Sequence, residues 1–83
     1  MTTEATTRPI STIAHEIRVD WVKPYFGAVP YLDAMRSLDS IKDKYGYDDA
    51  ASIVRYFLAN ATTWKGETAR RVKAELKAML GGK

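Results

Sequence analysis

The sequence predicts an all-α domain of four helices, and three observations carry that prediction. Apolar residues recur at three- and four-residue steps in four separate windows. Pro24, Pro30 and Gly46 punctuate the intervals between them. No window alternates strictly between apolar and polar residues, as a half-buried strand would. The predicted helices span about 11–22, 30–45, 49–60 and 64–80. They form one compact domain over 11–83, behind a mobile tail at 1–10 that holds four threonines before Arg8 and Pro9.

The first helix is read from Ile10, Ile13, Ile17 and Trp21, which share one stripe with Ala14 beside it. Ser11 or Thr12 can cap it. Lys23-Pro24 ends it, because the residue before a proline is pushed out of the helical region. The loop KPYFGAVP follows, with Tyr25 and Phe26 in it. The expectation is that these two rings fold back as a lid over the core. Left exposed, they would form an aromatic patch for a partner.

Pro30 suits the first turn of the second helix. Tyr31, Leu32, Met35, Leu38, Ile41 and Tyr45 then keep helical spacing. Asp33 near the start and Lys42 and Lys44 near the end complement the helix dipole, and Gly46 suits a left-handed C-terminal cap. Asp48 can cap the third helix, with Asp49 in its first turn. Its buried stripe is Ala50, Ile53, Val54, Phe57, Leu58 and Ala61. The fourth helix allows two starts: a cap at Thr62 or Thr63, or a cap at Gly66 with Trp64 in the turn. Ala69, Val72, Leu76, Met79 and Leu80 form its core stripe, and Gly81-Gly82 ends it. Glu67 and Arg71, four apart, suit a favourable pair.

The 83 residues fit one small domain, 46 % hydrophobic and 28 % charged. The absence of cysteine excludes disulfides and thiolate chemistry and makes a reducing cytoplasm the natural setting. No apolar run reaches the roughly 20 residues of a membrane span. The net charge of +3 is unevenly placed. Residues 1–63 carry a net −1 and residues 64–83 a net +4, which points to an anionic partner.

Several chemistries fail on the residues. His15 is the only histidine, and its position turns it away from the apolar stripe, so it reads as a surface residue and no metal is expected. The stretch DSIKDKYGYDDAAS is not a calcium loop. With Gly46 at the glycine turn, Ile41 and Tyr45 would occupy ligand positions and Ser52 the closing carboxylate position. Ser11 and His15 can touch on one helix face, but no third group orients the histidine and no pocket is implied. The carboxylate pairs Asp39/Asp43 and Asp48/Asp49 lack the cleft that acid–base work requires. No catalytic residue and no cofactor is expected.

The last helix carries Lys65, Arg70, Arg71, Lys73 and Lys77 on its non-core surface. Arg70, Lys73 and Lys77 share a face, suited to phosphate contacts; the same face also serves plain solvation. Leu58–Val72 loosely resembles a helix-turn-helix unit, with Trp64 as the apolar residue after the turn and Lys65, Glu67, Arg70 and Arg71 outward. It departs from that pattern at Thr62, Thr63 and Gly66. The block YGYDDAASIVRYFLANATTWKGETARRVKAELKAML resembles small uncharacterised helical proteins of actinobacteria and their phages, most specifically over YFLANATTWKGETARRVKAEL. That resemblance implies a phage-like origin and a cytoplasmic setting, and it assigns no activity.

Two non-enzymatic functions therefore compete. In the first, the basic helix binds DNA or RNA through Lys65, Arg70, Arg71, Lys73 and Lys77. In the second, the chain is an adaptor or inhibitor that binds a host or phage protein through Tyr25, Phe26, Tyr31 and Tyr56, and a homodimer is compatible with its small core. The sequence favours the first, because its basic residues are visible while the aromatic patch depends on exposure.

Overall fold

Each helix is built where apolar side chains repeat on one face, and each buries that face against two others. The computed structural model describes residues 8–46 and 48–81, apart from the side chain of Tyr45. Helix α1 is Ile10–Asp20, α2 is Val29–Met35, α3 is Ala50–Ala59 and α4 is Glu67–Gly81. A single 3-10 turn at Phe26–Ala28 leads into α2. Helix α1 packs on α2 and α4, and α3 packs on α2 and α4, so the four close around one core.

That core follows the predicted stripes closely. Ile10, Ile13, Ala14, Ile17 and Trp21 come from the first, and Ala50, Ile53, Val54, Phe57 and Ala61 from the third. Ala69, Val72 and Leu76 come from α4, while Met79 and Leu80 pack at its edge. No polar or charged residue is buried among the described residues. Trp21 and Trp64 stack with centroids 5.8 Å apart, and Phe57 meets both rings edge-on. The indole N–H of Trp64 donates to Asp20 Oδ2 at 2.8 Å, so its one polar atom is satisfied across the helices.

The second helix is much shorter than its spacing predicts. It ends at Met35, although Leu38 is buried and Ile41 partly so. The carboxylate of Asp43 accepts from the backbone N–H of Asp39 and Ser40, at 2.8 and 3.0 Å. Ser40 Oγ accepts from Lys42 N–H. Short polar side chains thus offer the backbone local partners that compete with helix. The chain then forms a minimal hairpin, with strand β1 at Lys44–Tyr45 paired antiparallel to β2 at Asp48–Asp49. Gly46 does adopt a left-handed φ of 64°, but in the hairpin turn, not at a helix end. The side chain of Tyr45, expected on the helix stripe, lies outside the described part.

The tail expected at 1–10 is corrected at its end. Residues 1–7 lie outside the described ones, but Arg8 is ion-paired, Ile10 is fully buried and the helix starts at Ile10. Ser11 and Thr12, the expected caps, lie inside α1, and Pro9 at the cap position has no hydrogen-bonding side chain. Instead, Ile10 N–H and Ser11 N–H donate to the carbonyls of Asp39 and Leu38, at 2.9 and 2.8 Å. The segment that α2 gives up thus caps α1. Asp49, one residue later than expected, caps α3 by accepting from Ser52 N–H at 2.8 Å. Gly66, with φ 114°, precedes α4 and its carbonyl accepts from Arg70 N–H, which selects the later of the two expected starts. Gly82, expected to help end α4, lies outside the described residues.

Candidate functional site

The five predicted cations of the last helix have three different fates. Arg71 reaches across the α1–α4 seam on the surface and pairs with Glu16, not with Glu67 as its spacing suggested. Glu16 Oε1 also lies 2.8 Å from Arg8. Arg8 grips Glu75 with a fork, donating from Nε at 3.0 Å and from Nη2 at 2.6 Å. This four-residue seam ties the approach to α1 to α4. It holds the Glu16 carboxyl below the ordinary carboxylate range, by the hydrogen bond from Arg71 first and then by Arg8.

Lys73 is also engaged within the molecule. Its Nζ donates to the Trp64 carbonyl at 2.7 Å and sits 5.9 Å from the Trp64 ring centre. Burial lowers its affinity for the proton, and Lys77 and Lys65 lower it further. Lys65, Arg70 and Lys77 are exposed, and none has an acidic partner within 4 Å among the described residues. Of the three cations expected to share a face, Lys73 is thus held by the chain while Arg70 and Lys77 stay exposed. Residues 60–66 join α3 to α4, a longer connection than the three to four residues of a helix-turn-helix.

The aromatic residues reverse the lid expectation. Phe26 is 79 % exposed and Tyr25 46 %. Their rings lie 4.9 Å apart. They stand on the 3-10 turn and its leading residue, so the backbone carries them outward instead of across the core. The edge of Tyr25 covers Gly27, where an added Cβ would come within 2.6 Å of the ring and 2.9 Å of Asn60 Oδ1. Asn60 in turn donates to the Tyr56 carbonyl, one turn back on α3. Tyr56 is exposed and meets half-buried Tyr31 at 5.4 Å. All four predicted aromatic residues thus lie on the side of the molecule formed by the 3-10 turn, α2 and α3. Val19 and Val22, exposed at the end of α1, precede them in the chain. Both valines were missed, and only their positions off the Ile13–Ile17–Trp21 stripe signal them.

Among the described residues, two further carboxylates have structural roles. His15 is exposed. Asp43 and Asp49 accept backbone hydrogen bonds, from Ser40 and from Ser52 foremost, which hold both below the ordinary aspartate range. Among the described residues no group of three metal-binding side chains converges, and no helix is long and apolar enough to cross a membrane. A hollow of about 400 Å³ lies between Arg8, Pro9, Asp39, Ser40, Ile41 and Met79. Comparison with protein-family models, with curated proteins and with solved structures finds no match to this chain.

Proposed function

We propose that this chain is a non-enzymatic module that binds another protein through its exposed aromatic surface. The observation that carries the reading is the Tyr25–Phe26 pair, held outward on a short 3-10 turn between two prolines. Exposed aromatic rings on preordered backbone are the usual anchors of protein interfaces, because they bury much area while losing few rotamers. Arg18 and Lys23 are exposed beside the valines and rings in the chain. The fitting partner therefore presents an apolar groove with acidic residues at its rim. A cytoplasmic, phage-like setting goes with this reading, in line with the absence of cysteine and with the resemblance of residues 45–80.

The basic face supports nucleic-acid binding less strongly than the sequence implied, since Arg71 is already paired with Glu16 across the α1–α4 seam. The test is site-specific photo-crosslinking from position 26 in a cell extract. A discrete crosslinked partner is expected, and Tyr25→Ser should abolish its capture while the far-ultraviolet circular dichroism stays unchanged. Capture of nothing, or capture indifferent to Tyr25→Ser, would sink the reading. Crosslinks only between copies of this chain would make the partner a second copy.

A further inference from the structure

A separate feature, independent of the aromatic surface, lies beside the start of α4. A hollow of about 280 Å³ is lined by Trp64, Lys65, Gly66, Ala69, Arg70 and Lys73. Trp64 and Ala69 are buried and form its floor. Lys65 comes from the connector and Arg70 and Lys73 from the helix, so positive charge reaches the hollow from two elements. No acid is among the lining residues. The contrast with the α1–α4 seam is direct, because there Arg8 and Arg71 both meet carboxylates.

The hollow is preorganised. Lys73 is fixed by the Trp64 carbonyl at 2.7 Å, so its ammonium already stands at the wall. It has two further N–H donors. Arg70 adds a planar fork suited to two oxygens at once. The Lys77 and Lys65 charges repel the Lys73 ammonium, burial disfavours it first, and no lining carboxylate offsets it. An anion with several oxygens relieves that repulsion and fills the available donors. The volume falls just below the roughly 300 Å³ at which pockets begin to enclose whole drug-sized ligands. It suits a charged group, with the rest of the ligand outside.

We infer that the hollow between Lys65, Arg70 and Lys73 is a binding site for a phosphate group, carried either by a nucleic-acid backbone or by a small phosphorylated molecule. The test is a titration of amide chemical shifts with inorganic phosphate at low salt, followed by a short duplex and a short single strand. Shifts centred on Gly66, Arg70 and Lys73 are expected. Lys65→Gln/Arg70→Gln should weaken binding by about tenfold or more, since each lost charged hydrogen bond is worth at least that factor. Lys44→Gln, on the hairpin that precedes α3, should leave binding within about twofold, the effect of a distant screened charge.

The arms separate the two sources. Oligonucleotide binding much tighter than phosphate, and falling steeply between about 50 and 200 mM salt, assigns the phosphate to a nucleic acid. Oligonucleotides no tighter than phosphate assign it to a small molecule. Three outcomes overturn the site: no shift at Gly66 and Arg70 with any probe, chloride competing as well as phosphate, or binding that Lys44→Gln weakens and the double variant does not. None of these outcomes bears on the crosslinking test at Phe26.

Discussion

Two groups of aromatic rings divide this small protein between inside and outside. Trp21, Phe57 and Trp64 interlock in the core, with Trp64 only 2 % exposed and its indole N–H held by Asp20. Tyr25, Phe26, Tyr31 and Tyr56 gather at the surface. Phenylalanine occurs in both groups, buried at Phe57 and exposed at Phe26, so ring chemistry alone does not decide the outcome. Position does. Phe57 sits on a helix stripe, and Trp21 and Trp64 flank helix ends where the bundle closes. Tyr25 and Phe26 sit on a turn that projects away from it. The difference teaches that an apolar side chain between two prolines follows its backbone, even in a domain with little core to spare.

The comparison breaks most visibly at Phe57. Phe57→Ala removes a fully buried ring and should cost about 3–5 kcal/mol, read from chemical denaturation. Asp20→Ala leaves the buried indole N–H of Trp64 without its acceptor and should cost about 1–3 kcal/mol, with a shift in tryptophan emission. Gly27→Ala tests the boundary between the groups. The new methyl must displace Tyr25 or Asn60, so about 1 kcal/mol or somewhat more should be lost, with altered Tyr25 ring signals in proton spectra. Phe26→Ser sharpens the contrast from the other side: stability should stay within about 0.5 kcal/mol while affinity pull-down of the crosslinked partner fails.

The smallest effect belongs to the charged seam. Its Glu16 carboxyl has a lowered pKa in the folded chain. A lowered folded pKa contributes stability that is present above the unfolded value and is lost as pH falls through the folded one. Midpoints measured at pH 7 and then below about 4.5, the ordinary glutamate value, should therefore drop further for the wild type than for Glu16→Gln. Equal drops would remove Glu16 from the acid response.

Most of the core was legible because a 3.6-residue period writes it into the chain. The stripes through Ile13 and Ile17, through Ile53 and Phe57, and through Val72 and Leu76 all bury as spaced. The length of α2 was not legible. Leu38 and Ile41 continue its period, but the hydrogen bonds of Asp43 to Asp39 and Ser40 select a turned backbone that still buries Leu38. The fate of Arg71 was illegible for another reason. Its partner Glu16 is on a different helix, and periodicity within α4 cannot see it. The exposure of Phe26 depended on the direction of a three-residue turn, which Gly27 and the flanking prolines permit without specifying.

The backbone cap of α1 has a consequence for folding kinetics. Ile10 and Ser11 donate to carbonyls at Asp39 and Leu38, so the first turn of α1 has no local substitute for those bonds. Closing that loop carries an entropy penalty before the bonds can form. These two amides therefore report on the joining of distant segments, not on the helicity of α1. In native-state hydrogen exchange they should open together with the turn at 38–43, while Ile17 N–H in the middle of the same helix follows the global unfolding of the core.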